Sequence, residues 1–396
     1  MAQPFRSVHR CMFLLIAAAT LGSTHALAAR QRLISFAGAV QTTYSVESLL
    51  TLATQRPATA SEAIRLLLRL VTLAPRGPGS RDEAATIRRD PRLANFLEAS
   101  LNLEMLAPEE IATLVWALAV LQRPLLELPI QNLHDALDDA ASELEVHRAA
   151  EAQWAWESLQ RDAETNALAS TPPRLVARTQ DLPFAVRLGA VDKSLLSLDG
   201  LCEEAAPQRD VMKSGSTVPS KDEVVERRLT AWQSEVDASF GYSGKLMAPR
   251  VGTELQAGFS PLVQQLRNVL ACPPIGRFYD SVLVNYYAGG KVGMNFHSDP
   301  GQGEEWGYST CVVSVGDVRS FVFRRIGNPS QRCSFALRAG DVVEMFGRCQ
   351  AEYQHSVKTE VSDEAAGPRM SLVFKRTLKT EGGCSSSERP DDRGII

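Results

Sequence analysis

The chain has 396 residues, 44% hydrophobic and 22% charged, with a formal net charge of -4. That length accommodates two or three domains with cores of their own, and that composition excludes wholesale disorder. The acidic balance excludes a nucleic-acid binder held mainly by global electrostatics.

The amino terminus pairs Arg6, His9 and Arg10 with the uncharged run "CMFLLIAAATLGSTHALAA". A basic start, an apolar centre and small residues near Ala26–Ala28 are the marks of a cleaved leader, too short to span a membrane comfortably. Arg30 and Arg32 follow, with no acid until Glu47. Residues 1–45 therefore read as a two-part leader into an organelle, plastid or mitochondrion, with the secretory pathway as the alternative. The mature chain is expected to hold no membrane span and to be a monomer.

Residues 46–165 read as helices. In "EEIATLVWALAVLQ", Ile111, Leu114, Val115, Leu118 and Leu121 fall on one helical stripe. Pro108 suits the first helical position, and Glu109 and Glu110 suit the positive end of the helix dipole. A second Trp-Ala pair, Trp154-Ala155, follows Trp116-Ala117 at a spacing that suggests stacked helical hairpins. The stretch Asp90–Gln122 resembles a unit of the octotricopeptide or FAST-kinase-like helical repeats. That resemblance implies a core role for the W-A-L-A residues and RNA as a partner.

Periodicity fades over 166–222, around Pro172-Pro173 and "SGSTVPSKDE", which predicts a linker or loose insertion. One helix is predicted in "SPLVQQLRNVLA". Strands are predicted in "DSVLVNYY", "STCVVSVG", "RSFVFRR", "GDVVEMF" and "RMSLVFKR", which are short, rich in β-branched and aromatic residues, and bounded by turn formers. This pattern points to a sandwich or jelly roll over 223–380. The tail 381–396, rich in Gly, Ser and charge, is expected to be disordered. Seven cysteines without a C-x-x-C pair exclude a zinc ribbon and are too sparse for a disulfide scaffold; they read as free buried thiols.

The chemistry concentrates in "NYYAGGKVGMNFHSDP". His297 and Asp299, two apart on an extended segment, project to one side. His355, after a predicted strand, is the best third ligand. Two imidazoles and one carboxylate on one face of an ion leave positions open, as a non-haem Fe(II) site needs. Iron that works with 2-oxoglutarate needs a cation for the far carboxylate, and Arg369 at the head of a predicted strand suits it. Ser371 shares its face, and Asn285 and Tyr287 alternate on another strand.

With "RLTAW" at Arg228–Trp232 and "YSG" at Tyr242–Gly244, these motifs resemble the AlkB family of Fe(II)/2-oxoglutarate dioxygenases, nearest its nucleic-acid repair branch. The resemblance covers Arg228–Lys379 and implies a double-stranded β-helix there; with the helices read before it, the chain is expected to be α+β, an all-α helical-repeat N-terminal region followed by that jelly roll. It implies Fe(II) on His297, Asp299 and His355, and 2-oxoglutarate on Arg369, Asn285 and Tyr287, with Ser371 and Lys375 beside them. It further implies O₂ as cosubstrate and oxidative removal of N-methyl groups from DNA or RNA, with release of succinate, CO₂ and formaldehyde. Tyr242 and Trp232 are candidates to stack on a base. There are two departures from the family pattern. Lys375 stands where the family ends its last motif with Arg, and Pro300-Gly301 stand where repair members carry an acid. The second departure keeps open a protein or small-molecule hydroxylase of the same chemistry. A non-enzymatic organellar RNA-binding protein is a third reading, against which the intact ligands argue.

Overall fold

The computed structural model describes residues 39–41, 45–55, 58–73, 90–121, 130–162, 173–215 and 219–378. Nearly all of the leader and the whole tail lie outside the described residues. Among these no helix is long and apolar enough to cross a membrane.

The N-terminal region is all helix: Val46–Gln55, Ala60–Leu73, Pro91–Ser100, Pro108–Leu121, Ile130–Ala140 and Val146–Asp162. Local chemistry sets their starts. Asp90 caps the third, its carboxylate accepting from Arg92 N at 2.8 Å ahead of Pro91. Glu110 reaches back to Ala107 N at 3.1 Å at the start of the fourth. All five residues of the predicted stripe, from Ile111 to Leu121, are buried.

The expectation of a linker over 166–222 is corrected. The described part of that span folds: helix Pro173–Thr179, strand β1 (Phe184–Arg187), helix Leu198–Ala205, and the hairpin β2 (Val211–Gly215) and β3 (Pro219–Val225). Phe184 supplies the missing periodicity from outside its own segment, stacking on Phe323 at 3.9 Å between centroids. A strand of four residues has no alternation long enough to read, so only its tertiary partners define it.

The remaining strands are β4 (Leu229–Ser234), the hairpins β5 (Phe240–Tyr242)–β6 (Lys245–Met247) and β7 (Arg250–Val251)–β8 (Glu254–Leu255), then β9 (Ser281–Tyr287), β10 (Met294–His297), β11 (Thr310–Gly316), β12 (Arg319–Arg325), β13 (Asn328–Leu337), β14 (Val342–Met345), β15 (Tyr353–Val357) and β16 (Arg369–Lys375). Two antiparallel sheets result, ordered β1-β14-β11-β16-β9-β4 and β10-β15-β12-β13. The six-stranded sheet turns Val284, Leu372, Phe374 and Val313 outward onto Val263, Leu266 and Leu270 of helix Pro261–Leu270. Burying each such side chain contributes about 1.5–3 kcal/mol. Its other face carries a polar row across four strands. Thr230 is opposite Asn285, Asn285 opposite Ser371, and Ser371 opposite Ser314.

The helical region closes an open sheet edge. Strand β13 is the last strand of the four-stranded sheet, and an unpaired edge invites a foreign strand. Trp116 Nε1 donates to Ser334 O at 3.0 Å, and Ser334 N donates to Glu151 Oε1 at 2.7 Å. Two side chains thus replace the missing neighbour strand. Arg148 holds Glu151 from its own helix. Asp341 is fully buried and pairs with Arg161 of helix Val146–Asp162, besides accepting from Gly189 N and Arg338 N. Glu151→Ala leaves Ser334 N–H without its acceptor and takes one acceptor from Arg148, which keeps Glu109 and Thr113, and is expected to cost about 1–3 kcal/mol. Glu151→Gln, which keeps an acceptor oxygen, should recover part of it. Urea unfolding of the three proteins checks this, and equal midpoints would sink the edge-cap argument.

Candidate active site

Strand β10 and the loop after it carry His297 and Asp299, while β15 carries His355 directly opposite His297 in register. The pairing of these strands, rather than the spacing in the chain, brings the third ligand in. Asp299 Oδ1 lies 3.6 Å from His297 Nε2 and 3.6 Å from His355 Nε2. The three ligand atoms fall within 4.8 Å of one another, and the imidazole centroids are 4.2 Å apart.

Each ligand is oriented by a neighbour. His297 Nδ1 lies 2.9 Å from Asn295 O, a contact that places the proton on Nδ1 and leaves the Nε2 lone pair free. The His355 ring lies parallel to Phe321 at 5.5 Å. Burial, with the Lys375 ammonium nearby, pushes its pKa down to about 3, although Asp299 opposes this. His355 is therefore neutral, as a ligand must be. Asp299 N donates to Gln350 Oε1 at 2.8 Å, and Ser298 Oγ donates to Tyr353 O at 3.0 Å, fixing the segment to the start of β15 and to the helical turn Cys349–Glu352 before it. Burial works to raise the Asp299 pKa, but the charge around it, the Lys375 ammonium first, outweighs burial and holds the carboxyl well below its usual range.

Lys375 sits beside the triad. Its Nζ donates to Asp299 Oδ2 at 2.7 Å and lies 3.5 Å from Thr310 Oγ1. The ammonium occupies one carboxylate oxygen and leaves Oδ1 for the ion. Lys375→Met removes that partner from a buried carboxylate. Affinity for a divalent ion is then expected to fall about 10- to 100-fold, with Lys375→Arg close to the parent. Cobalt(II) titration of the three proteins checks it, and unchanged affinity in Lys375→Met would refute the role.

At the other end of β16, Arg369 is fully buried. Nη2 donates to Ser314 Oγ at 3.0 Å and Ser371 Oγ at 3.4 Å, whereas Nε and Nη1 have no partner. Burial pushes the guanidinium down to about 10. A buried cation with two orphaned donors is the cradle of a carboxylate. Asn285 Oδ1 is likewise buried without a partner, and Tyr287 is opposite Arg369 in register. A keto acid gripping an ion at the triad with its far carboxylate on Arg369 would lie along the polar row between the sheets. The residues present fit both groups. His297, Asp299 and His355 would hold Fe(II), which supplies the activation of O₂ when bound. Arg369, with Ser314 and Ser371 behind it, would orient the keto acid.

The stacking candidates part ways. Trp232 is 1% exposed, its ring stacked on Phe240 at 4.7 Å and edge-on to Trp306, with Nε1 donating to Ala238 O at 2.7 Å. The expectation that it stacks on a base is therefore corrected: both the ring and its donor serve the core. Tyr242 is half-buried, its hydroxyl 2.9 Å from Glu226 Oε1 and 3.2 Å from Lys245 Nζ. Lys245 Nζ also donates to Thr230 Oγ1 at 2.6 Å, which ties this cluster to the polar row.

Sequence reasoning missed Ser314, Gln350, Thr310 and Arg319. Ser314 left a signal, a lone hydroxyl inside an apolar run. Arg319, fully buried, donates to Gly290 O and Val292 O at 3.2 Å each and to Gly289 O, pinning the Gly-rich turn before His297. Gly290 is required there, since a Cβ would stand 2.0 Å from Ser362 O.

Comparison with known proteins gives concordant matches. The sequence profile described as 2OG-Fe(II) oxygenase superfamily matches residues 193–375, beginning inside the span read as a linker. An uncharacterized protein of Acanthamoeba polyphaga mimivirus is 35% identical over 178 residues, 44% of this chain and 85% of that protein. Alpha-ketoglutarate-dependent dioxygenase alkB homolog 3 of Homo sapiens is 27% identical over 160 residues, 37% of this chain and 51% of that protein. DNA oxidative demethylase ALKBH2 of Bos taurus is 25% identical over 160 residues, 39% of this chain and 54% of that protein. The chain thus spans most of the viral relative and about half the length of the two mammalian ones. Two antiparallel sheets, a His/Asp/His triad and a buried arginine are what this chemistry requires, and the chain belongs to the 2OG-Fe(II) oxygenase superfamily, enzymes that use Fe(II) and 2-oxoglutarate.

Proposed function

We propose that the protein oxidatively demethylates N-alkylated bases in DNA or RNA. The chemistry rests on the triad and on Arg369 with its two free donors, which accommodate iron and keto acid together. The nucleic-acid substrate is carried by one observation, the similarity to a protein named DNA oxidative demethylase, with a second alkB homolog beside it. Substrate, O₂ and keto acid would meet between the sheets, with Tyr242 and its Glu226–Lys245 cluster near the entering base. Monomeric state and organellar delivery by the leader belong to the same proposal.

The helical region reads best as a wall of the oxygenase. Trp116 of the W-A-L-A motif is committed to Ser334 O, which favours a structural role over a repeat array gripping RNA.

A second reading, a protein or small-molecule hydroxylase, is favoured by the turn after Asp299. Gly301 adopts φ +72°, and its oxygen accepts from Trp306 N at 2.9 Å. Pro300 and Gly301 thus stand where repair members of the AlkB family carry an acid.

The test supplies Fe(II), 2-oxoglutarate and O₂ with oligonucleotides bearing 1-methyladenine or 3-methylcytosine, and follows succinate and formaldehyde beside a His297→Ala control. Formaldehyde that requires both oligonucleotide and His297 supports demethylation. Succinate alone, without formaldehyde, moves the substrate to the second reading.

A further inference from the structure

The outer face of the four-stranded sheet, behind the triad, carries three cations that no carboxylate among the described residues neutralises. Arg324 on β12 is directly opposite Arg332 on β13. On its other side it is opposite Gln354 on β15, whose Oε1 accepts from Arg324 Nε at 2.9 Å and Nη2 at 2.7 Å. Lys358 continues the same alternation past the end of β15. Phe296 of β10 lies between two of them, with Arg324 Cζ 3.9 Å and Lys358 Nζ 4.1 Å from its ring centroid. Among the described residues none of the three cations has a salt bridge. Glu151, the acid that feels Arg332, is taken by Arg148 and Ser334 N.

This arrangement works against stability. Like charges directly opposite on adjacent strands repel, and burial, followed by Arg332 and Arg324, lowers the pKa of Lys358. Folding alone gives no reason to gather Arg324, Arg332 and Lys358 on one face, whereas an anionic partner does. The placement says which kind of partner. Phe296 and Gln354 immediately precede His297 and His355, so the patch and the metal ligands are the two faces of the same two strands. β10 is the outer strand of its sheet, so a chain passing over that edge reaches both faces. Arg324 and Lys358 are held by the Phe296 ring instead of ranging through solvent, which lowers the entropy lost on binding.

We propose that Arg324, Arg332 and Lys358 form a phosphate-binding track for the backbone of a nucleic-acid strand whose target base enters the metal site across the β10 edge. The proposal rests on the nucleic-acid reading above, and binding can be tested apart from turnover.

The experiment measures fluorescence anisotropy of a labelled single-stranded oligonucleotide without methylated bases, titrated with the full chain at several salt concentrations. The proteins compared are the parent, Arg324→Gln/Arg332→Gln/Lys358→Gln, and Arg174→Gln on helix Pro173–Thr179 as a charge control. The triple variant should bind at least about tenfold more weakly, and its log–log salt slope should be shallower by about 2, as expected for three lost phosphate contacts on a single strand. The control should match the parent. Relief of the Arg324–Arg332 repulsion should at the same time raise the unfolding temperature of the triple variant, which excludes misfolding as the cause of weaker binding. Unchanged affinity and slope in the triple variant would overturn the proposal. So would displacement of the oligonucleotide by polyglutamate at equal charge, which would assign the face to an acidic chain. Patch-dependent binding without formaldehyde release would leave the track standing and defeat the demethylase reading; formaldehyde release with patch-independent binding would do the reverse.

Discussion

Arg369→Met is expected to raise the KM for 2-oxoglutarate by about a hundredfold or more while making the protein no less stable. The two effects have one cause. The guanidinium is sealed from solvent with Nε and Nη1 unpartnered, so the ligand-free protein bears the desolvation of a charge that only a carboxylate can repay. Methionine removes that cost, and with it the bidentate pair. Breaking a buried charge pair by removing one partner costs about 3–5 kcal/mol, which is about two to four orders of magnitude in affinity. Succinate formation against 2-oxoglutarate concentration, with thermal unfolding measured in parallel, reads both. A KM close to the parent's would mean that the far carboxylate lies elsewhere. Arg369→Lys separates charge from shape: it keeps the charge but loses the planar fork, and should fall between the two.

The second large effect is at the triad. His297→Ala should lower Fe(II) affinity at least about a hundredfold and abolish turnover at stoichiometric iron, because each remaining ligand already has its one atom at the site. His297 is a cleaner test than His355. Its side chain is 29% exposed against 7%, so its loss opens little cavity, whereas removal of His355 also deprives Phe321 and Phe323 of a packed ring. Anaerobic Fe(II) titration followed by succinate release checks it. Retained tight binding would remove His297 from the ligand set. His297→Ala should leave the unfolding midpoint of the metal-free protein near the parent's, so loss of iron is separable from loss of fold.

The two ends of β16 explain why neither effect follows from its residue alone. Arg369 and Lys375 lie on the same face of one strand, six residues apart, one aimed at a carboxylate to come and the other at Asp299, already present. Lysine in place of the family's arginine looks from sequence like a weakened hold on the cosubstrate. In the fold its single ammonium sits on Asp299 Oδ2 at 2.7 Å, a point contact that needs no planar fork.

Legibility differed along the chain for physical reasons. Strands β9, β11, β12 and β16 were readable because each is a run of β-branched and aromatic residues between turn formers, and each lies within a residue of its predicted bounds. Strand β13 was missed because its first half, "NPSQR", is polar and exposed, and only "CSFAL" packs inward. Strands β1 and β15 were missed because four or five residues do not establish a period. Helix Pro108–Leu121 was readable from stripe and start signal together.

By itself the sequence determined that His297 and Asp299 act as a pair, since spacing alone puts them on one side, and that an arginine-led strand follows His355. It also determined helices before and strands after a polar middle. Only the tertiary structure decided that His355 is opposite His297, that Lys375 belongs to Asp299, that Trp232 is core, and that Trp116 and Glu151 close the edge of β13. The reason is the range of the forces involved. Periodicity and capping act over a few residues and are written locally, whereas a buried charge or an open sheet edge is satisfied by whichever group the packing brings near, and those partners stand tens to hundreds of residues away.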